Sequence, residues 1–185
     1  RESLETKRVV LENFTESGLY PYAAHYLSSV KERFGRFWQN HFSTIGIIGM
    51  NEALLNFEPV GKNIATPEGK KFALEVLEFM REKIMDYQNS TNNLYNLEAT
   101  PAEGTTRRLS RIDKDKYPDI VVANDAAVKA GKASPYYTNS THLPVNYTDD
   151  IFEALDLQDD IQTKYTGGTV LHAYAGEALP SAESV

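Results

Sequence analysis

Apolar residues return along this chain at two different spacings, and the spacing predicts alternating helices and strands. Leu4, Val9, Val10, Leu11 and Phe14 recur near the helical period with charged residues between them, so the chain opens inside a helix that Gly18 and Pro21 end. Residues 22–34 read as a second helical piece, followed by the aromatic-rich Phe34-Gly35-Arg36-Phe37-Trp38. Residues 43–50 form a continuous apolar run of β-branched type with glycines at 46 and 49. That is the pattern of a strand buried on both faces with another segment packed closely on it. Asn51 is placed to cap a short helix through Phe57. Thr66-Pro67-Glu68 starts a longer helix: a capping threonine, a proline in the first helical position, then an apolar face from Phe72, Leu74, Val76, Leu77, Phe79, Met80 and Ile84.

Residues 94–99 supply a second buried strand that stops at Thr100-Pro101, and 105–112 read as the next helix. Residues 113–135 are polar, a surface excursion with at most a short strand at 120–122. Thr148-Asp149-Asp150 caps a helix running from Ile151 to about Lys164, and Gly167-Gly168 turns into a third buried strand at 169–174. The last residues, 179–185, read as a tail or the start of a further helix. Strand, helix, strand, helix in this order predicts an α/β fold with parallel strands.

Composition narrows the function classes. A chain of 185 residues that is 41% hydrophobic is expected to form one compact domain with a real core. A net charge of −7 and a pI near 5.1 argue against a nucleic-acid partner, which needs a basic surface, but leave room for a small phosphorylated ligand. There is no cysteine, hence no disulfide, thiolate metal site or thiol nucleophile among these residues. No apolar run approaches the roughly 18 residues that span a bilayer, and Arg1-Glu2-Ser3-Leu4-Glu5 matches neither a signal nor a transit peptide. A cytoplasmic location without a membrane partner is the expectation, and the acceptor-type triplets at Asn13, Asn89, Asn139 and Asn146 are then chance occurrences.

The chemistry concentrates after the second strand. Thr100, Pro101, Ala102, Glu103, Gly104, Thr105 and Thr106 lie beyond the carboxyl end of a strand and at the start of a helix, where parallel α/β folds place ligands. Free N–H groups at a helix start favour an anion, with Gly104 permitting backbone approach, the threonine hydroxyls as donors and Arg107 or Arg108 as charge. An ordinary strand-to-helix turn accounts for the same spacing, and the residues alone leave both readings open. Glu103 fits a general base or a first-turn complement to the helix dipole. Asn51-Glu52 fits a pocket edge or a helix cap with its first-turn acid. The histidines at 25, 41, 142 and 172 lack the spacing of a helical metal site, so no metal is expected. His142 sits in a polar loop able to border a pocket, and His172 in an apolar strand. Asp149 and Asp150 fit a helix cap, and no serine sits in a G-x-S-x-G elbow.

Several blocks together say more. "HFSTIGIIGMNEALLNF", "IATPEGKKFALEVLEFMREK", "NLYNLEATPAEGT", "YYTNSTHLPVNYTDD" and "IQTKYTGGTVLHAYAGE" resemble, in this order, the anaerobic (class III) ribonucleoside-triphosphate reductases, which are glycyl-radical enzymes. The likeness covers nearly the whole chain and is weakest around residues 125–133. It implies a ten-stranded α/β barrel in which a cysteine thiyl radical, generated by a glycine radical, abstracts a ribose hydrogen. Residues 1–185 would then be a single segment from the later part of that barrel, without the thiyl cysteine, glycyl-radical region, zinc site or ATP-binding regulatory domain. The resemblance makes 100–106 the holder of substrate phosphates, implies Glu103 and Asn51 as pocket-lining residues, and leaves no catalytic residue in the chain; Glu52 and His142 join the expected pocket lining from their own positions in the sequence. It implies as partners the ribonucleoside triphosphate, the remaining reductase chain and an activase using S-adenosylmethionine and an iron–sulfur cluster. Zinc and the ATP or dATP effectors would bind elsewhere in the parent, and no cofactor here. The rival expectations are a stand-alone nucleotide-binding or interaction module and a piece of another glycyl-radical enzyme.

Overall fold

In the computed structural model the described residues are 1–145 and 147–172. The chain packs as two compact units, Arg1–Ile45 with Phe79–Leu97, and Gly46–Glu78 with Glu98–Val185, where its length predicts one domain.

The first unit opens with α1 (Glu2–Glu16), α2 (Pro21–Tyr26) and α3 (Ser28–Phe34), so the helical piece expected at 22–34 is two helices that meet at Leu27. Its interior is organised around charged groups of α1. The Arg8 guanidinium donates to Trp38 O at 2.6 Å, His41 O at 3.0 Å and Ser43 Oγ at 2.8 Å, holding the approach to β1 (Phe42–Gly46) against the helix. Glu12 accepts from the amides of Phe37 and Trp38 at 2.8 and 3.1 Å. The second half of α5 (Pro67–Thr91) leads into β2 (Leu94–Ala99), whose Tyr95 and Leu97 are buried while alternate residues are not. Tyr95 donates its hydroxyl to Glu5, and burial followed by that carboxylate contact pushes the phenol up to about 12.

β1 is shorter than the apolar run predicts. It ends at Gly46, and of its residues only Ser43 is buried, with Phe42 56% exposed, so it is not enclosed on both faces. Ile48 instead makes an isolated antiparallel bridge with Asn139. Gly49 then adopts φ +72°, a left-handed conformation that a side chain resists, and caps α4 (Met50–Asn56) in place of Asn51.

In the second unit, α4 and the first half of α5 surround a core of Met50, Leu54, Ile64, Ala73, Leu77, Ala99, Val122 and Ile161. The start of α5 follows the expected signature: Thr66 Oγ1 accepts from Gly69 N at 3.1 Å, with Pro67 in the first turn. β2 continues into α6 (Glu103–Lys116), which begins earlier than residue 105 and runs past residue 112. Residues 120–122 form no strand; the Asn56 side chain brackets Val121, donating to its carbonyl at 2.9 Å and accepting from its amide at 2.8 Å, and so satisfies the backbone that a neighbouring strand would. A short α7 (Asp125–Lys129) follows within the stretch expected to be irregular. α8 (Ile151–Gln162) is capped as its sequence predicts, with Asp150 Oδ1 accepting from Phe152 N and Glu153 N. The strands follow the order β1-β2-β3, and β3 (Gly168–Thr169) pairs in parallel with β2 through Glu98–Gly168 and Ala99–Thr169. The third strand expected at 169–174 therefore begins at Gly168, and its residues 173 and 174 lie outside the described residues, as does the tail at 179–185. Among the described residues, no helix is long and apolar enough to cross a membrane.

Candidate functional site

At the end of β2 the chain turns through Thr100 and Pro101, and Ala102 N donates to Asn139 Oδ1 at 3.1 Å. The first rung of α6 is Thr106 N to Ala102 O at 2.8 Å, so the amides of Glu103, Gly104 and Thr105 precede the helical ladder, and Ala102 offers them no side-chain cap. Around the position a Gly104 Cβ would take there is nothing within 4 Å. Thr106 is buried and its hydroxyl donates to Glu103 O at 2.8 Å, which removes it as a donor to any ligand.

This helix start borders a cleft of about 520 Å³ within the second unit. Glu103, Thr106 and Arg107 of α6 form one part of its wall, Tyr136 to Asn139 and His142 to Val145 another, and Ile151, Ala154 and Gln158 of α8 a third; Leu171 and His172 border it too. Of the expected site residues, Glu103, Thr106 and His142 stand in this wall, whereas Thr100, Pro101, Ala102, Gly104 and Thr105 do not. Asp149 and Asp150 also line it, Asp150 while capping α8. His172 is exposed and follows β3 rather than lying within a strand.

Asn51 and Glu52 do not line the cleft; they are buried, each 2% exposed, and act one layer away. Glu52 accepts from Thr138 N at 2.9 Å, Thr138 Oγ1 at 2.7 Å and Asn51 Nδ2 at 2.9 Å, while Asn51 Oδ1 accepts from Ile64 N at 3.1 Å. Thr138 O and Ser140 O in turn accept from Gly49 N and Met50 N at 2.9 and 3.1 Å. The hydroxyls of Ser140 and Thr141 meet the Tyr165 phenol at 2.7 and 2.8 Å. These bonds hold Ser140 at φ +48°, an uncommon conformation for a residue with a side chain.

His142 is lowered from its ordinary value of 6.5 by burial and then by His172, so the imidazole is neutral at pH 7. Its folded-state value lies below the unfolded one, so its contribution to stability is fully present above about 6.5 and declines as pH falls toward the folded value. Urea midpoints should therefore fall on acidification below pH 6.5, and His142→Gln should flatten that part of the profile.

Sequence reasoning reached Arg107 and His142 but not Gln158. The available signal was a single polar residue on the otherwise apolar stripe of Ile151, Ala154 and Ile161.

The sequence matches the anaerobic ribonucleoside-triphosphate reductases over residues 1–185. The chain belongs to that family. The anaerobic ribonucleoside-triphosphate reductase of Haemophilus influenzae is 23% identical to it over 129 residues, which are 70% of this chain and 17% of that protein. The crystal structure of the anaerobic ribonucleotide reductase from Thermotoga maritima, with MES in the active site, superposes with a TM-score of 0.64 at 22% identity. That superposition covers 97% of this chain and 27% of the other. The α/β fold with its small parallel sheet is thus similar to that of a reductase, and the chain is homologous to part of one. The rival expectations, a separate module or another glycyl-radical enzyme, are not favoured.

Proposed function

We propose that this chain forms part of the substrate-binding wall of an anaerobic ribonucleotide reductase, and that the start of α6 holds the phosphates of a ribonucleoside triphosphate. The observation that carries the reading is an uncapped helix start whose first turn, with Arg107, borders a cleft of about 520 Å³. α8, on the same cleft, is by contrast already capped by Asp150. Glu103, Asp149 and Asp150 on the walls oppose an anion, so binding depends on the α6 amides and Arg107 outweighing them.

In this reading residues 1–185 are a segment from the later part of a ten-stranded barrel, and the parent reaction reduces the ribose at its 2′ position by radical chemistry. The chain has no cysteine, so the thiyl radical has no host within it, and its own residues bind and orient substrate without catalysing. The glycyl radical, its activase, the zinc site and the ATP or dATP effector sites belong to other parts of the assembly.

Isothermal titration with a ribonucleoside triphosphate at constant ionic strength tests this. Arg107→Gln should weaken binding about 10-fold or more, the scale of one charge-assisted hydrogen bond. Gly104→Val should weaken it as well, by setting a branched side chain beside the amides that this reading gives to the phosphates, with little loss of stability because a Cβ there meets no protein atom within 4 Å. Affinity unchanged in both variants would remove the phosphate site.

A further inference from the structure

Two nitrogens on the cleft wall are enclosed and have no partner. His142 is 9% exposed and its Nε2 makes no hydrogen bond. Gln158 is 2% exposed, and its Nε2 is likewise unpartnered although its Oε1 accepts from Gln162 Nε2 at 2.8 Å. They come from separate elements, the loop after Asn139 and the buried face of α8, yet border the same space. Burying a polar group without a partner is costly, and such groups in folded proteins call for an explanation.

The backbone that carries His142 is fixed. Its amide donates to Asn139 O at 3.0 Å, and the neighbouring Ser140 and Thr141 hydroxyls are tied to Tyr165. The left-handed Ser140 within this turn is local strain that its surroundings hold in place, a feature that clusters at binding sites. The Asn139 side chain, at the other end of the turn, accepts from Ala102 at the start of α6. One rigid turn therefore connects the amide-rich helix start with the enclosed imidazole. Both orphaned groups are uncharged, the glutamine by nature and the histidine because burial and His172 hold it neutral. Neither suits a phosphate as well as the cation and amides of α6 do.

We propose that His142 and Gln158 recognise the uncharged, hydrogen-bonding half of the nucleotide, a sugar hydroxyl or a base edge, while α6 holds its phosphates. The inference rests on the reading of the cleft as a triphosphate site. Because both nitrogens are closed to bulk water, the ligand reaches them by turning a wall side chain. Beside His142 the exposed neighbour is His172, its ring centroid 6.1 Å from that of His142.

The test titrates the protein with a ribonucleoside triphosphate, its 2′-deoxy counterpart, and inorganic tripolyphosphate. His142→Phe keeps a ring without nitrogen, Gln158→Leu keeps volume without the amide, and His142→Gln restores a hydrogen-bonding group. His142→Phe and Gln158→Leu should each weaken the ribonucleoside triphosphate about 3- to 10-fold, with tripolyphosphate affinity held within about twofold and partial recovery in His142→Gln. A loss seen with the ribonucleotide and absent with the 2′-deoxy nucleotide assigns the contact to the sugar hydroxyl; equal losses that vary with the base assign it to the base edge. If nucleotide and tripolyphosphate weaken together, or nucleotide affinity ignores both variants while still responding to Arg107→Gln, this inference alone is overturned. A wild-type protein that binds neither ligand overturns it together with the phosphate reading.

Discussion

Gly69→Ala should lower stability by about 3 kcal/mol, roughly 6–12 °C in Tm for a chain of this size, although it adds one methyl group to a helix that alanine ordinarily favours. Gly69 lies in the first turn of α5, and a Cβ there would sit 2.1 Å from Asn63 O and 2.8 Å from Asn63 C. Those are backbone atoms, so no side chain can swing away to make room. The turn that holds them is also tightly bonded: Asn63 O accepts from Thr66 N at 3.2 Å and Thr66 Oγ1 at 2.8 Å, and Asn63 Oδ1 accepts from Ala65 N at 3.1 Å. Moving Asn63 drags Ile64, a core residue whose amide is itself held by Asn51. Gly104→Ala supplies the control, since Gly104 also occupies the first turn of a helix and a Cβ there has nothing within 4 Å. That variant should gain about 0.5–1 kcal/mol from helix propensity and reduced unfolded-state freedom. Thermal melts of the pair separate steric crowding from propensity, and a Gly69→Ala protein as stable as the wild type would show that crowding against Asn63 does not limit this position.

The elements legible in the sequence are those whose signals are local. β2 keeps its expected bounds because Tyr95, Leu97 and Ala99 alternate inward and Pro101 follows, and α5 starts where Thr66-Pro67 says it must. Asp150 caps α8 for the same reason. β1 misled because a run of apolar residues resembles a strand enclosed on both faces whether or not anything covers it, and because the left-handed turn at Gly49 is invisible to hydrophobic periodicity. Asn51 and Glu52 misled differently. Capping rules look a few residues along the chain, whereas the partner that defines Glu52 is Thr138, 86 positions on. The cleft was half legible. A polar loop around His142 and an arginine beyond Gly104 suggested a ligand, but only the fold brings them to one wall with Gln158. The family, by contrast, was legible in whole blocks of sequence, which no single spacing contains.

Glu52→Ala should be the other severe lesion, costing about 3–4 kcal/mol by leaving a buried amide, hydroxyl and carboxamide without their acceptor. The acceptor is one carboxylate serving Thr138 N, Thr138 Oγ1 and Asn51 Nδ2 at 2.7 to 2.9 Å in a side chain only 2% exposed. Glu52→Gln should lose about half as much, since a carboxamide keeps one acceptor oxygen but turns an N–H₂ toward groups that are themselves donors. Thr138→Val removes one donor in place, so in a double-mutant cycle with Glu52→Ala the losses should fall short of additive by about 1–2 kcal/mol. Urea denaturation measures the wild type and each variant, and a Glu52→Ala loss below about 1 kcal/mol would mean that the carboxylate is not what anchors this turn. The consequence reaches the cleft without Glu52 touching it. Thr138 precedes Asn139, whose side chain holds the start of α6, and His142 follows one turn later. In a Glu52→Gln protein that stays folded, nucleotide affinity should therefore fall even though every cleft-lining residue is intact, because the turn that sets the spacing between α6 and the imidazole has lost its anchor.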